Sequence, residues 1–181
     1  MQKVVAHVCK AIDNSNIENR RIILDTKKPI KSTGNMRPWS TKKPTELVVK
    51  SHINLAVYDS GWEMNAGQEL ERNKHVVSWV RNDHIGFVIR YLYNGIIHDY
   101  WPDFLIRLKN DTTLVLEVKG KDDDQNKEKR RYLEEWVNVV NEDGNHGTWS
   151  WDVIFNPSEL RNVIEKHANA EISGKVFAKC P

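Results

Sequence analysis

Two short apolar runs joined by a polar turn constrain this chain more than any other feature. Phe104-Leu-Ile-Arg-Leu108 and Thr113-Leu-Val-Leu-Glu-Val-Lys119 are rich in branched and aromatic residues, and Lys109-Asn-Asp-Thr112 between them is a turn signal. The pattern predicts one β-hairpin. Side chains alternate across a strand, so Glu117 and Lys119 share one face while Leu114, Leu116 and Val118 take the other. Directly opposite residues of an antiparallel pair also share a face. A turn centred on Asn110 sets Asp103 opposite Glu117; a turn centred on Asp111 sets it opposite Lys119. Either register gathers Asp103, Glu117 and Lys119, and a slip of one residue scatters them.

Two carboxylates and an ammonium on one sheet face are the groups a phosphodiester-cleaving centre needs. Hard cations such as magnesium take carboxylate oxygens, keep several waters, and bind through one or two carboxylates plus a substrate phosphate. Such a cation activates water and neutralises charge on the phosphate. A neighbouring lysine orients the water or stabilises developing negative charge. The competing reading of the same spacing is a surface ion-pair ladder.

Pro102-Asp103 with Glu117-Val118-Lys119 resembles the PD-(D/E)XK nuclease signature. The wider run is similar to the C-terminal nuclease domain of type III restriction enzyme Res subunits and related helicase-fused proteins. The matching pieces are Lys50-Ser-His-Ile-Asn54, Trp62-Glu63, Val80-Arg-Asn82, Ile85-Gly-Phe87, Tyr100-Trp-Pro-Asp-Phe104, Leu116-Glu-Val-Lys-Gly120, Trp136-Val-Asn-Val-Val-Asn141 and Gly147-Thr-Trp149, within residues 45–155. The resemblance implies an α/β fold of the restriction-endonuclease-like type, a mixed central β-sheet flanked by helices. It implies a magnesium-dependent endodeoxyribonuclease, with manganese able to substitute. Asp103 and Glu117 would hold the metal and Lys119 would position or activate water. A third acid comes from the first helix, where Glu63 is preferred over Glu71. Lys127 or Arg131, on the helix bordering the site, could touch a DNA phosphate. The implied partners are DNA, a helicase/ATPase motor and a modification subunit. Arg90 stands where the family tends to have Pro, which changes only the local charge.

Size and charge fit one soluble domain. The chain has 181 residues and a formal charge of +2, enough to bury a sizeable core. The charge is unevenly placed: residues 1–60 carry 11 Lys/Arg against 5 Asp/Glu, and residues 61–181 carry 16 against 20. A basic front segment can follow a phosphate backbone or serve as a solvated arm. No apolar run approaches the ~20 residues of a membrane span, and the N-terminus lacks the apolar stretch of a signal peptide. Cys9 and Cys180 read as free thiols of a reducing cytoplasm. The expected organisation is a basic appendage over 1–45, the nuclease-like domain over 46–168 and a tail over 169–181. There is no Gly-rich Lys-Ser/Thr phosphate loop, so an ATPase motor would lie outside this chain.

Other elements follow from local signals. Val4–Ile12 is helix-compatible, Arg20–Leu24 is a strand or short helix, and Thr26–Thr45 is loop-like with interspersed lysines. Leu47-Val-Val and Ile53–Tyr58 read as extended. Ser60 is an N-cap with Glu63 at the capping-box position, and Trp62, Ala66 and Leu70 read as the core face. His52 reads as a hydrogen-bonded structural histidine. Val76–Val80 is helix or strand, Ile85–Tyr91 a strand, and Tyr93-Asn-Gly95 a hairpin turn. Strand parity turns His98 and Tyr100 away from Asp103 unless Pro102 marks a bulge. Asp122–Asp124 reads as a helix start. Gln125–Asn141 is a helix with core residues Tyr132, Leu133, Trp136, Val137 and Val140. Trp149–Phe155 is a strand, and Pro157 opens a last helix. The main rival to a nuclease is a catalytically silent nucleic-acid-binding accessory domain; a purely structural domain is a third reading.

Overall fold

The computed structural model describes residues 32–120 and 122–170. The expectations for Val4–Ile12, Arg20–Leu24, Lys27, Lys28, Lys31, the two cysteines and residues 171–181 of the tail lie outside the described residues.

The hairpin is the centre of the sheet. Strands β6 (Phe104–Leu108) and β7 (Thr112–Val118) pair antiparallel with Phe104 opposite Leu116 and Arg107 opposite Thr113. That register centres the turn on Asn110 and sets Asp103 across from Glu117. Asn110 holds the turn itself: its Oδ1 accepts from the Thr112 N–H and its Nδ2 donates to the His167 carbonyl at 2.9 Å. Asp111 takes a left-handed φ of 64°, which Asp tolerates better than most residues.

β3 (Val76–Arg81) adds antiparallel to β6, and β8 (Thr148–Ile154) adds parallel to β7, giving the mixed order β3-β6-β7-β8. The parallel pair needs a crossover, and helix α2 (Asp124–Asp143) supplies it. Asp123 caps its N-terminus by accepting from the Asn126 N–H, and Gly144 ends it at φ 71°, as a left-handed C-cap requires. Helices flank both faces. On one, Phe104, Ile106, Leu114, Leu116 and Ile154 pack with Ala66 and Leu70 of helix α1 (Gly61–Arg72) and with Leu160 and Ile164 of helix α3 (Leu160–Asn169). On the other, Val115 packs with Leu133 and Val137 of α2. Gly67 allows α1 to sit close to Tyr58: a Cβ there would lie 2.8 Å from Tyr58 Cζ.

Two small hairpins complete the fold. β1 (Thr45–Leu47) pairs with β2 (Leu55–Val57), and a single bridge between Ser51 and Trp79 ties this segment to β3. β4 (Ile89–Tyr93) and β5 (Ile96–Tyr100) form their own two-stranded sheet around Asn94 and Gly95, both at positive φ, the geometry a two-residue hairpin turn needs.

The structure corrects several local expectations. The strand expected from Ile85 begins at Ile89, because His84 and Gly86 take left-handed φ values of 60° and 82°. Trp62 is not core: it is 41% exposed while Ala66 and Leu70 are fully buried. Tyr132 and Trp136 are only partly buried at the edge of the α2 core. His52, expected as a hydrogen-bonded structural histidine, is exposed. Pro157 opens a single 3-10 turn (Pro157–Glu159), and α3 follows it. No helix among the described residues is long and apolar enough to cross a membrane.

Candidate metal centre

Asp103, Glu117 and Lys119 meet at one end of the sheet. β6 begins immediately after Asp103, and β7 ends between Glu117 and Lys119. Asp103 Oδ2 accepts a 2.7 Å hydrogen bond from the Val118 N–H, which fixes it beside the end of β7. Lys119 Nζ lies 2.5 Å from Glu117 Oε1. The Lys119 N–H donates to the Ile154 carbonyl at 2.9 Å, so the parallel strand continues to hold the chain after β7 has ended.

The cluster is sheltered and short of positive charge. Glu117 is 3% exposed. Burial and then the charge of Glu117 push the Asp103 carboxyl up to about 7, against the pull of the Val118 hydrogen bond. Burial draws the Lys119 ammonium down, but the charge and hydrogen bond of Glu117 outweigh it and hold Lys119 above its ordinary value. One ammonium facing two adjacent carboxylates leaves an excess of negative charge in a low-dielectric corner.

That donor set fits a hard divalent cation. Two carboxylates from neighbouring strands share a face, and Oδ1 of Asp103 lies outside the Val118 bond. A ligand set of one or two carboxylates completed by water suits magnesium. Among the described residues, no group of three or more His, Cys, Asp or Glu side chains is placed to hold a metal ion.

Glu63, the expected third acid, is committed elsewhere. Ser60 Oγ accepts from the Glu63 N–H, as expected of an N-cap. Glu63 Oε2 accepts from the Asp59 N–H and from Arg81 Nε, both at 2.9 Å. Its charge still reaches Asp103, raising that carboxyl as a lesser contribution. Glu71 is structural: it accepts from the N–H groups of Val49 and Lys50 and from Trp79 Nε1 at 2.9 Å. It staples the segment after β1 to α1 and β3.

Lys127 and Arg131 are turned to partners on their own helix. Lys127 pairs with Asp124 at 2.9 Å, and Arg131 with Glu128 at 3.0 Å and Glu135 at 2.6 Å. The α2 residues nearer the cluster are Lys129, whose Nζ stands 5.8 Å from the centre of the Tyr100 ring, and Arg130, held by a two-pronged pairing with Asp122.

Tyr100 is the residue the sequence reasoning turned away from the site. Its hydroxyl donates to Glu117 Oε2 at 2.8 Å, and it is 3% exposed. The parity argument fails because β5 belongs to a different sheet and Trp101 to Asp103 form no strand. Buried Pro102 lies where the chain passes from one sheet to the other. Burial and the Glu117 charge raise the Tyr100 phenol far above its ordinary range, so it stays a donor. Its place in the Tyr100-Trp-Pro-Asp103 run was the available signal. His98 stacks with Tyr91 at 5.4 Å between ring centres and stays on the hairpin.

Arg81 was also missed. It binds Glu63, Asp59 and Asp83, and its side chain is only 12% exposed. Comparison of the chain with protein-family models, curated proteins and solved structures finds no match.

Proposed function

We propose that this chain is a magnesium-dependent DNA endonuclease domain of the PD-(D/E)XK type, the nuclease part of a helicase-linked, type III restriction-like system. The observation that carries the reading is the β6–β7 register, which sets Asp103 across from Glu117 with Lys119 on the same face. The order of elements supports it: a helix, three antiparallel strands of the main sheet, a crossover helix and a parallel strand, with the acids at the adjoining ends of β6 and β7.

Asp103 and Glu117 would hold the cation, which would supply an activated water and charge neutralisation at the phosphate. Lys119, anchored through its backbone to β8, would orient the attacking water and stabilise charge developing on the phosphate oxygens. Tyr100 would hold Glu117 in one rotamer. Phosphate ester hydrolysis is intrinsically very slow, so positioning and electrostatics would supply most of the rate. An ATPase motor, a modification subunit and DNA are the partners this reading requires.

A catalytically silent, nucleic-acid-binding accessory domain is the second reading. The engagement of Glu63 by Arg81 favours it, since the helix acid is neutralised where it stands.

The deciding experiment is calorimetric titration of manganese and magnesium into wild type and Asp103→Ala, with plasmid nicking on the same samples. Nicking by wild type alone, with metal binding lost in Asp103→Ala, is the expected result. Nicking that persists undiminished in purified Asp103→Ala or Lys119→Ala overturns the residue assignment. Metal binding without nicking, together with DNA binding that weakens with salt, selects the accessory domain.

A further inference from the structure

A second feature of the molecule lies outside the acidic cluster. Trp62, Asn65, Glu69 and Arg72 follow one another along a single stripe of α1, and they face Asn156 and Arg161 across an open groove of about 620 Å³. From Trp62 to Arg72 the stripe rises ten steps of helix, about 15 Å at 1.5 Å per residue. Its chemistry changes along its length. At the N-terminal end of α1 stands the half-exposed indole of Trp62. Further along, Glu69 takes Arg72 Nε on Oε2 at 3.0 Å and Arg161 Nε on Oε1 at 3.1 Å. Two guanidiniums share one carboxylate there, with Glu165 also acting on Arg161, and both arginines keep most of their side chain in solvent, at 66% and 63%.

The groove lies on the α1–α3 side of the sheet, whereas strand alternation puts Glu117 and Lys119 on the α2 side with Val115; chain neighbours link the two. Trp62 precedes Glu63, whose charge reaches Asp103. Asn156 follows by two residues the Ile154 carbonyl that accepts the Lys119 N–H. An aromatic face, carboxamides and then exposed guanidiniums are the set that binds a single nucleic-acid strand: bases stack on the aromatic ring and arginines track the phosphates. A duplex offers no unstacked base to an indole.

We propose that the α1–α3 groove binds a few nucleotides of single-stranded nucleic acid, with one base stacked on Trp62 and a phosphate on Arg161 and Arg72. This inference deepens the nuclease reading by naming a strand-binding surface across the sheet from the proposed cleavage centre, and it rests on that reading for its biological use. Binding itself does not depend on cleavage.

The test uses fluorescence anisotropy of end-labelled dT12 and U12, and of a duplex of the same length, with the full chain in EDTA so that no metal-dependent cleavage intervenes. Wild type should bind the single strands more tightly than the duplex. Trp62→Ala should weaken single-strand binding by ~10-fold, the scale of one lost stacking contact, and Trp62→Phe should restore much of it. Arg161→Gln should weaken binding several-fold and flatten its salt dependence. Thermal melts check that each variant is folded; Trp62 and Arg161 are exposed enough for truncation to be tolerated. Equal binding of dT12 by wild type, Trp62→Ala and Arg161→Gln overturns the groove, as does a preference for duplex that ignores Trp62. Plasmid nicking is scored separately on the same proteins. Nicking with groove-independent binding leaves the nuclease reading standing without the groove. Groove-dependent binding with no nicking leaves the groove standing without the nuclease.

Discussion

Asp103 accepts a 2.7 Å hydrogen bond from the backbone N–H of Val118, and this places its carboxyl beside that of Glu117 at the end of the hairpin. The contact is favourable on its own, but it brings together two carboxyls that repel. Sheet geometry, rather than attraction, holds the pair.

The first consequence is a pH dependence. The folded-state value of Asp103 is raised from 3.8 to about 7. A carboxyl raised on folding binds its proton more tightly in the native state. Its contribution to stability is therefore fully present below about pH 4 and is lost as the pH rises through about 7. Metal-free protein should lose on the order of 2–4 kcal/mol across that window. Asp103→Asn should flatten the loss and be more stable than wild type at pH 8. Divalent metal should bind more tightly as the pH rises through 7, releasing a proton. Urea melts at stepped pH, with and without manganese, check both points. A flat wild-type profile would refute the crowding of the two acids.

Tyr100 acts through Glu117. Tyr100→Phe removes the 2.8 Å hydrogen bond from a buried carboxylate that retains Lys119 as a partner. The expected cost is about 1–3 kcal/mol of stability, the scale of a buried acceptor left short of a donor. Metal affinity or nicking should fall by ~10–100-fold, as when groups that orient metal ligands are removed. A merely structural tyrosine would lower the melting temperature and leave metal affinity at a fixed temperature unchanged. Calorimetry well below the melting point separates the two cases.

The legibility of the sequence followed the range of the forces involved. The β6–β7 pair, the Asn94-Gly95 turn, the Ser60 cap and the α2 core face rest on alternation, turn chemistry and capping, which act within a few residues. The structure places them as expected, except that Tyr132 and Trp136 stand only at the edge of the α2 core. The sequence left two registers open for the hairpin. Asn110 decides between them by bonding to the end of α3, 57 residues away, and no local pattern announces that. Tyr100 was misplaced because parity was counted through Trp101 to Asp103, where the chain leaves one sheet for another. Trp62 was assigned to the core from helical spacing alone, but it is 41% exposed and lines the groove instead. Lys127 and Arg131 satisfied the pattern of a polar helix face, yet acids three or four residues away on the same helix claim them.

Asp152 joins α3 to the sheet. It lies on β8 opposite Leu116 and accepts from Lys166 at 2.9 Å, with His167 Nε2 also at 2.9 Å. Burial works to raise its carboxyl, but the His167 and Lys166 hydrogen bonds outweigh that and hold it at about 2. A depressed carboxyl contributes stability above its unfolded value near 4, and the contribution is lost as the pH falls towards 2. Asp152→Asn should cost about 1–2 kcal/mol at pH 7 and converge on wild type near pH 2. Because α3 also carries Arg161, amide exchange in α3 should quicken in the variant. Unchanged exchange there would show that apolar packing alone seats the helix.

Arg81 decides what Glu63 is for. Its guanidinium is largely buried and binds Glu63, Asp59 and Asp83. Burial lowers its value, but the charges of Glu63 and Asp59 more than offset this and hold it firmly ionised. Among the described residues Arg81 is the partner common to the three acids; Asp59 keeps Lys43, but Glu63, 13% exposed, loses its ion-pair partner, and a stranded charge of that kind costs up to about 3–5 kcal/mol. Arg81→Met should therefore destabilise strongly in a thermal melt at neutral pH. Glu63→Gln separates the roles, because the amide can keep the hydrogen bond from the Asp59 N–H while losing the charge. If Glu63 serves the cap and Arg81 alone, Glu63→Gln melts slightly below wild type and binds manganese as wild type does. If it is the third acid, manganese affinity and nicking fall together while the melting temperature barely moves. Calorimetry, nicking and a thermal melt on that one variant distinguish the two.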